Sequence, residues 1–170
     1  MRLTIAILLS FILVNVCMGQ DISELEKRNG FRSINLGMIP DSVKGVKFKK
    51  EIKENEEFPA KLYSVENPEL SSIGEVRVDR IEIKAYKDMI YEISIVTEKD
   101  TRLMKALESL YGKADYDMKK ELYFWRSDNM VLKFKSHGRG HLELLYTSYA
   151  IHKMMKADKN QKVDDIANDF

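Results

Sequence analysis

The sequence predicts an α+β domain: an antiparallel sheet of about six strands with one main helix, Asp100–Tyr111, packed on one face, preceded by an N-terminal signal helix. Three observations predict it. Runs rich in Val, Ile and Tyr alternate with polar residues at a period of two from Glu75 onward. One stretch repeats apolar residues at helical spacing. Short turn sequences join successive strand candidates.

Along the chain, Arg2 is followed by the apolar run Leu3–Val16 and then Cys17-Met18-Gly19. A basic start, an apolar stretch and small residues before Gln20 make the layout of a secretory signal peptide over residues 1–19. The run is shorter than the ~20 residues that span a bilayer, so no membrane span is expected after signal removal. Cys17 raises lipoprotein attachment, but Val16 stands where a small residue is needed, so plain cleavage before Gln20 is the expectation. Residues 20–30 are polar and read as a linker or short helix. Phe31–Gly37 alternates partially and reads as a first strand. Pro40, Asp41 and Ser42 suggest a one-turn helix.

Residues 47–57 carry many charges and read as a solvated, irregular segment. Leu62–Val65 reads as a short strand closed by Asn67-Pro68. Glu75–Tyr86 and Met89–Thr97 form two strands around a tight turn at Lys87-Asp88. In the first, Val76 and Val78 are even but Ile81 and Ile83 are odd. Both pairs can face one core only if an extra residue intervenes, which predicts a bulge near Asp79-Arg80. Tyr91, Ile93 and Ile95 mark the buried face of the second. Leu103, Leu107, Leu110 and Tyr111 make the helical stripe, with Asp100 to cap it and Gly112 to end it. Glu121–Trp125, Met130–Lys135 and His141–Tyr149 are three further strands, with Leu122 and Phe124 lining the same core as Leu132 and Phe134. The domain thus runs over 31–150, and residues 151–170 read as a charged tail that opens with a short helix over Tyr149–Lys156.

Composition narrows the function. The chain holds 28 Lys+Arg, 27 Asp+Glu and one cysteine. Removing residues 1–19 takes Arg2 and Cys17 and leaves 151 residues with 27 bases and 27 acids. A balanced product has no electrostatic reason to bind nucleic acid. Without cysteine it is neither a disulfide scaffold nor a thiol enzyme. Missing cysteines and missing Asn-x-Ser/Thr sequons point to a bacterial envelope, hence a periplasmic or secreted protein.

Chemical motifs are sparse. No Gly-x-Ser-x-Gly elbow, phosphate loop or His-Glu-x-x-His occurs, so no catalytic residue is assigned. His137 and His141 flank Gly138-Arg139-Gly140, a turn rather than a helical metal pair, and no third ligand is evident. No metal or cofactor is expected. Asp158–Asp165 echoes a calcium loop but places Lys162 and Val163 where an oxygen ligand and glycine are needed. Tyr123 and Trp125 share a strand face, with Val131 and Leu145 as neighbours; an outward Trp beside Tyr would be a binding spot, while the favoured reading is that helix Asp100–Tyr111 or the C-terminal segment covers that face. The candidate partner-binding residues are therefore Tyr123, Trp125, His137, Arg139 and His141.

Three stretches, Phe31-Arg32-x-Ile34-x-Leu36-Gly37 with Pro40 and Asp41, Leu110-Tyr111-Gly112-Lys113, and Tyr123-x-Trp125, follow an order that resembles uncharacterised small exported bacterial domains. The same order is loosely similar to the β-lactamase-inhibitor-protein-like architecture. That resemblance spans about residues 31–148. It implies binding rather than catalysis, because the group includes outer-membrane assembly lipoproteins and secreted enzyme inhibitors. No site residue carries over from it. The expected function is a non-catalytic exported domain that binds a protein or cell-envelope component. Two alternatives stand beside it: an inhibitor or immunity-type protein that blocks an enzyme through the loops at 137–141 and 47–57, and a small hydrolase with an unrecognised site.

Overall fold

The computed structural model describes residues 20–55 and 57–168, and the expected export signal over residues 1–19 lies outside them. A short helix, α1 (Ile22–Arg28), leads into a miniature hairpin of β1 (Gly30–Phe31) and β2 (Ile34–Asn35). Then come a 3-10 turn (Pro40–Ser42), β3 (Val46–Glu54), β4 (Phe58–Val65), a second 3-10 turn (Pro68–Leu70) and β5 (Ser72–Ile73). The centre is β6 (Val76–Tyr86), β7 (Met89–Glu98) and α2 (Thr101–Tyr111). The chain continues through β8 (Asp115–Asp117), β9 (Leu122–Arg126), β10 (Met130–Ser136), β11 (His141–Ser148) and α3 (Tyr149–Ala167).

The α+β class holds, with a larger sheet than the expected six strands. Nine antiparallel strands run in the order β3-β4-β6-β7-β11-β10-β9-β8, with β5 paired to the start of β6. Lys87 and Asp88 both have positive φ, 47° and 57°, the conformation that matches a two-residue turn to the twist of its strands. The bulge between Val78 and Arg80 is present, so Val76 and Val78 join Ile81 and Ile83 in one core. Two more bulges act alike. Lys49 has no partner on β4, which sends Val46 to one face and Ile52 to the other. Tyr91 has no partner on β6, and it turns to the face opposite Ile93 and Ile95, correcting the expectation that the three share a side.

The bulges divide the apolar residues between two cores. The larger lies between the sheet and the layer made by α1, the miniature hairpin and α2. Asp100 accepts the Arg102 N–H at 2.7 Å and Gly112 ends α2 at φ 77°, so Leu103, Leu107 and Tyr111 are held against Ile93, Ile95 and Leu144. The smaller core lies on the opposite face, where Ile151 and Met155 of α3 meet Ala60, Tyr86 and Tyr91.

Several expectations need correction. The first strand is two short strands that reverse at Arg32, φ 52°. Gly30 makes the reversal possible: its φ is 152°, and a Cβ there would stand 2.2 Å from the Ile34 carbonyl oxygen. The charged segment at 47–57 is largely an edge strand, where charges and a bulge deter further pairing. Of the two readings for residues 20–30, the structure holds the short helix, with Leu25 buried. The short helix expected over Tyr149–Lys156 continues to Ala167 where a charged tail was expected, and α3 covers part of the second sheet face. Its capacity to dock rests on two buried residues in a charged sequence, which leaves almost no periodic signal. Among the described residues no helix is long and apolar enough to cross a membrane.

Candidate functional site

The residues singled out from sequence do not form one site. Trp125 is 0% exposed. Its indole N–H donates to the Gly112 carbonyl at 2.8 Å, and its ring lies 6.1 Å from that of Tyr111. The register explains the correction: Trp125 pairs with Leu132 and Tyr123 with Phe134, so both belong to the α2 side, while Leu122 and Phe124 turn the other way. Val131 is buried and Leu145 half-buried on that other side, away from Trp125. Tyr123 alone reaches solvent, 40% exposed and stacked at 4.7 Å on Tyr116.

The turn after β10 sends its histidines to different partners. His141 Nε2 lies 2.9 Å from an Asp79 carboxylate oxygen. His137 lies 3.4 Å from the Arg80 guanidinium and 3.7 Å from Glu143. Arg139 is exposed, and its carbonyl lies 3.0 Å from His141 Nδ1. Among the described residues no group of three or more His, Cys, Asp or Glu is placed to hold a metal ion. The calcium-like stretch after Asp158 lies inside α3, a helix rather than a loop.

A different place has the shape of a site. The seven-residue α1 and the miniature hairpin are too small to cover the whole stripe of α2. A cleft of about 480 Å³ opens between them, within the usual range for small-molecule sites. One wall is aliphatic: Leu103, Ala106, Leu107 and Leu110 along α2. The sheet contributes Leu144 and Tyr146, and β5 contributes Ile73. The opposite wall is Phe31 and Asn35, with Lys27, Arg28 and Arg32 also lining the cleft.

Its electrostatics are lopsided. Among the described residues Glu24 is the one acid paired with the lining cations, 2.7 Å from Arg28 and 3.8 Å from Lys27. Arg32 is held by uncharged groups, donating to the carbonyls of Glu69 at 2.6 Å and Ser72 at 2.8 Å, with its guanidinium 5.6 Å from the Phe31 ring centre. Three cations against one acid leave an excess of positive charge. Tyr111 and Tyr146, both buried, line the cleft together with Arg28. Burial raises the pKa of both phenols, and the positive charge of Arg28 opposes that rise. The Asn35 side-chain oxygen is buried with no hydrogen-bond partner among the described residues.

The described lining groups are apolar chains, cations, phenols and one amide, a set suited to holding a ligand by contact and charge. A thin trace of the cleft was visible in sequence: α2 carries a stripe one helix face wide, while the segment meant to cover it, residues 20–30, offers only Ile22 and Leu25. Comparison with family models, curated proteins and solved structures finds no match for this chain.

Proposed function

We propose that the chain is an exported, non-catalytic binding domain that engages a protein or cell-envelope component through the cleft between α1, the miniature hairpin and α2. The observation that carries this reading is the cleft itself, with aliphatic walls and a cationic surplus. Export is supported by the apolar run Leu3–Val16 behind Arg2, and binding rather than catalysis is also what the sequence resemblance implies.

A photo-crosslinking residue at Ala106, exposed on the cleft wall, tests the reading in intact cells, with Lys50 on the sheet edge as control. An adduct formed from position 106 and absent from position 50 is expected; no adduct from 106 overturns it. Intact mass tests export: a mature chain starting at Gln20 is expected. Its side chain donates to the Phe124 carbonyl at 3.1 Å and accepts the Arg126 N–H at 3.0 Å, so the uncyclised glutamine should persist.

A further inference from the structure

We propose that the occupant of the cleft is a free long-chain carboxylate, a fatty-acid-type amphiphile, with its alkyl chain along α2 and its carboxylate beside Arg28 and the Tyr111–Tyr146 pair. This rests on the reading of the cleft as a binding site and names the ligand class it takes.

Three features select that chemistry. First, the wall is made of Leu103, Ala106, Leu107 and Leu110, which favours a flexible alkyl chain over a flat ring. The one phenyl ring in the opposite wall, Phe31, already carries the Arg32 guanidinium. Second, the charge calls for an anion. Arg28 and Lys27 share Glu24, and among the described residues Arg32 has no carboxylate within ion-pair distance. Third, two buried phenols, Tyr111 and Tyr146, line the same cleft as Arg28 and supply directed polar groups beside its aliphatic wall. Such groups fix the head of a ligand whose body binds without direction. A zwitterionic or neutral head would leave the cationic surplus unanswered, and a bulky phosphate ester carrying two chains exceeds what about 480 Å³ holds.

The test is titration of the purified exported protein with hexadecanoate, followed by calorimetry and by the signal of a ¹³C-labelled carboxyl. Saturable one-to-one binding is expected. Hexadecanol, with the same chain and no charge, should bind about tenfold more weakly or less, since losing one charge-assisted contact is worth at least that factor. Arg28→Gln should weaken hexadecanoate by a similar factor and leave hexadecanol unchanged. Ala106→Trp should abolish binding of both while the thermal midpoint stays within the parent's range, because Ala106 is exposed. Equal affinity for hexadecanol, binding unaffected by Ala106→Trp, or binding only to phosphatidylglycerol vesicles would each overturn the proposal. If hexadecanoate does not bind but the crosslinker at position 106 still captures a protein in cells, the ligand class falls and the binding-domain reading stands. If both fail, the cleft is not the functional site.

Discussion

The two faces of the sheet are built from the same strands by opposite means. On β7, Ile93 and Ile95 point to the α2 side and are fully buried, while Glu92 and Ser94 point to the other and are half-exposed. The α2 face depends on helical cover. The opposite face is tied together largely by cross-strand polar pairs: Lys84 lies 3.0 Å from Glu54 and 2.9 Å from Glu92, Lys135 lies 3.1 Å from Glu143, and the Ser94 hydroxyl donates to Glu143 at 2.7 Å. Where apolar groups gather at Ala60, Tyr86 and Tyr91, α3 covers it. A sheet face therefore needs a lid in proportion to the apolar surface it presents, and charged ladders leave the rest open to water.

The sharpest way to break this contrast is on the covered side. Trp125→Ala removes a buried indole and its hydrogen bond, and should cost about 3–5 kcal/mol by urea unfolding, whereas Tyr123→Ala two residues away should cost well under half as much. On the charged side, Lys84→Met leaves Glu54 and Glu92 without their shared cation. It should cost about 1–3 kcal/mol, and converting both acids to Gln in the same chain should recover most of it. If Lys84→Met is as stable as the parent, the ladder is not what holds that face.

Next is the response to pH where α3 meets the ladder. Burial lowers the pKa of His152, whose ring packs 5.3 Å from that of Tyr91, with Glu54 and Glu92 opposing and Lys133 and Lys156 adding to the shift. A histidine depressed in the fold favours unfolding when it is protonated. Stability is complete above its ordinary pKa of 6.5 and falls as pH drops below that value. Glu54 adds a second step. Burial alone would raise its pKa, but hydrogen bonds from Lys84 and Tyr91 outweigh burial and bring it below 4.5, so its contribution is lost in stronger acid. His152→Gln should flatten the first step and leave the second, as read by thermal midpoints across the pH range. The smallest effect should come from ending the chain after Asn160. The turns beyond it are exposed, and the shortened protein should lose less than about 0.5 kcal/mol.

Legibility in sequence followed the covered face. β6, β7, β10 and β11 carry stretches of alternating apolar residues, and the parity change between Val78 and Ile81 located a bulge. Strand β3 was hidden because both of its faces are largely solvated, so Lys47 to Lys53 show no apolar period. The length of α3 beyond Lys156 was hidden because Ile151 and Met155 are its only buried residues. Leu122 and Phe124 were placed with Leu132 and Phe134 because alternation within β9 says which residues share a side, and only its register against Leu132 says which side that is. Of the cleft, the sequence showed the α2 wall alone. Its base and opposite wall come from Tyr146, Phe31 and Ile73, far apart in the chain.

The sequence by itself determined the α+β class, the central strands and their turns, and the helix from Thr101 to Tyr111. These are properties of local period, capping and composition, which each segment carries alone. Tertiary structure decided the face on which each strand's residues lie, the docking of α3 and the existence of the cleft. Those depend on contacts between segments tens of residues apart, where a one-residue register step or one short helix such as α1 changes what is covered and what is left open.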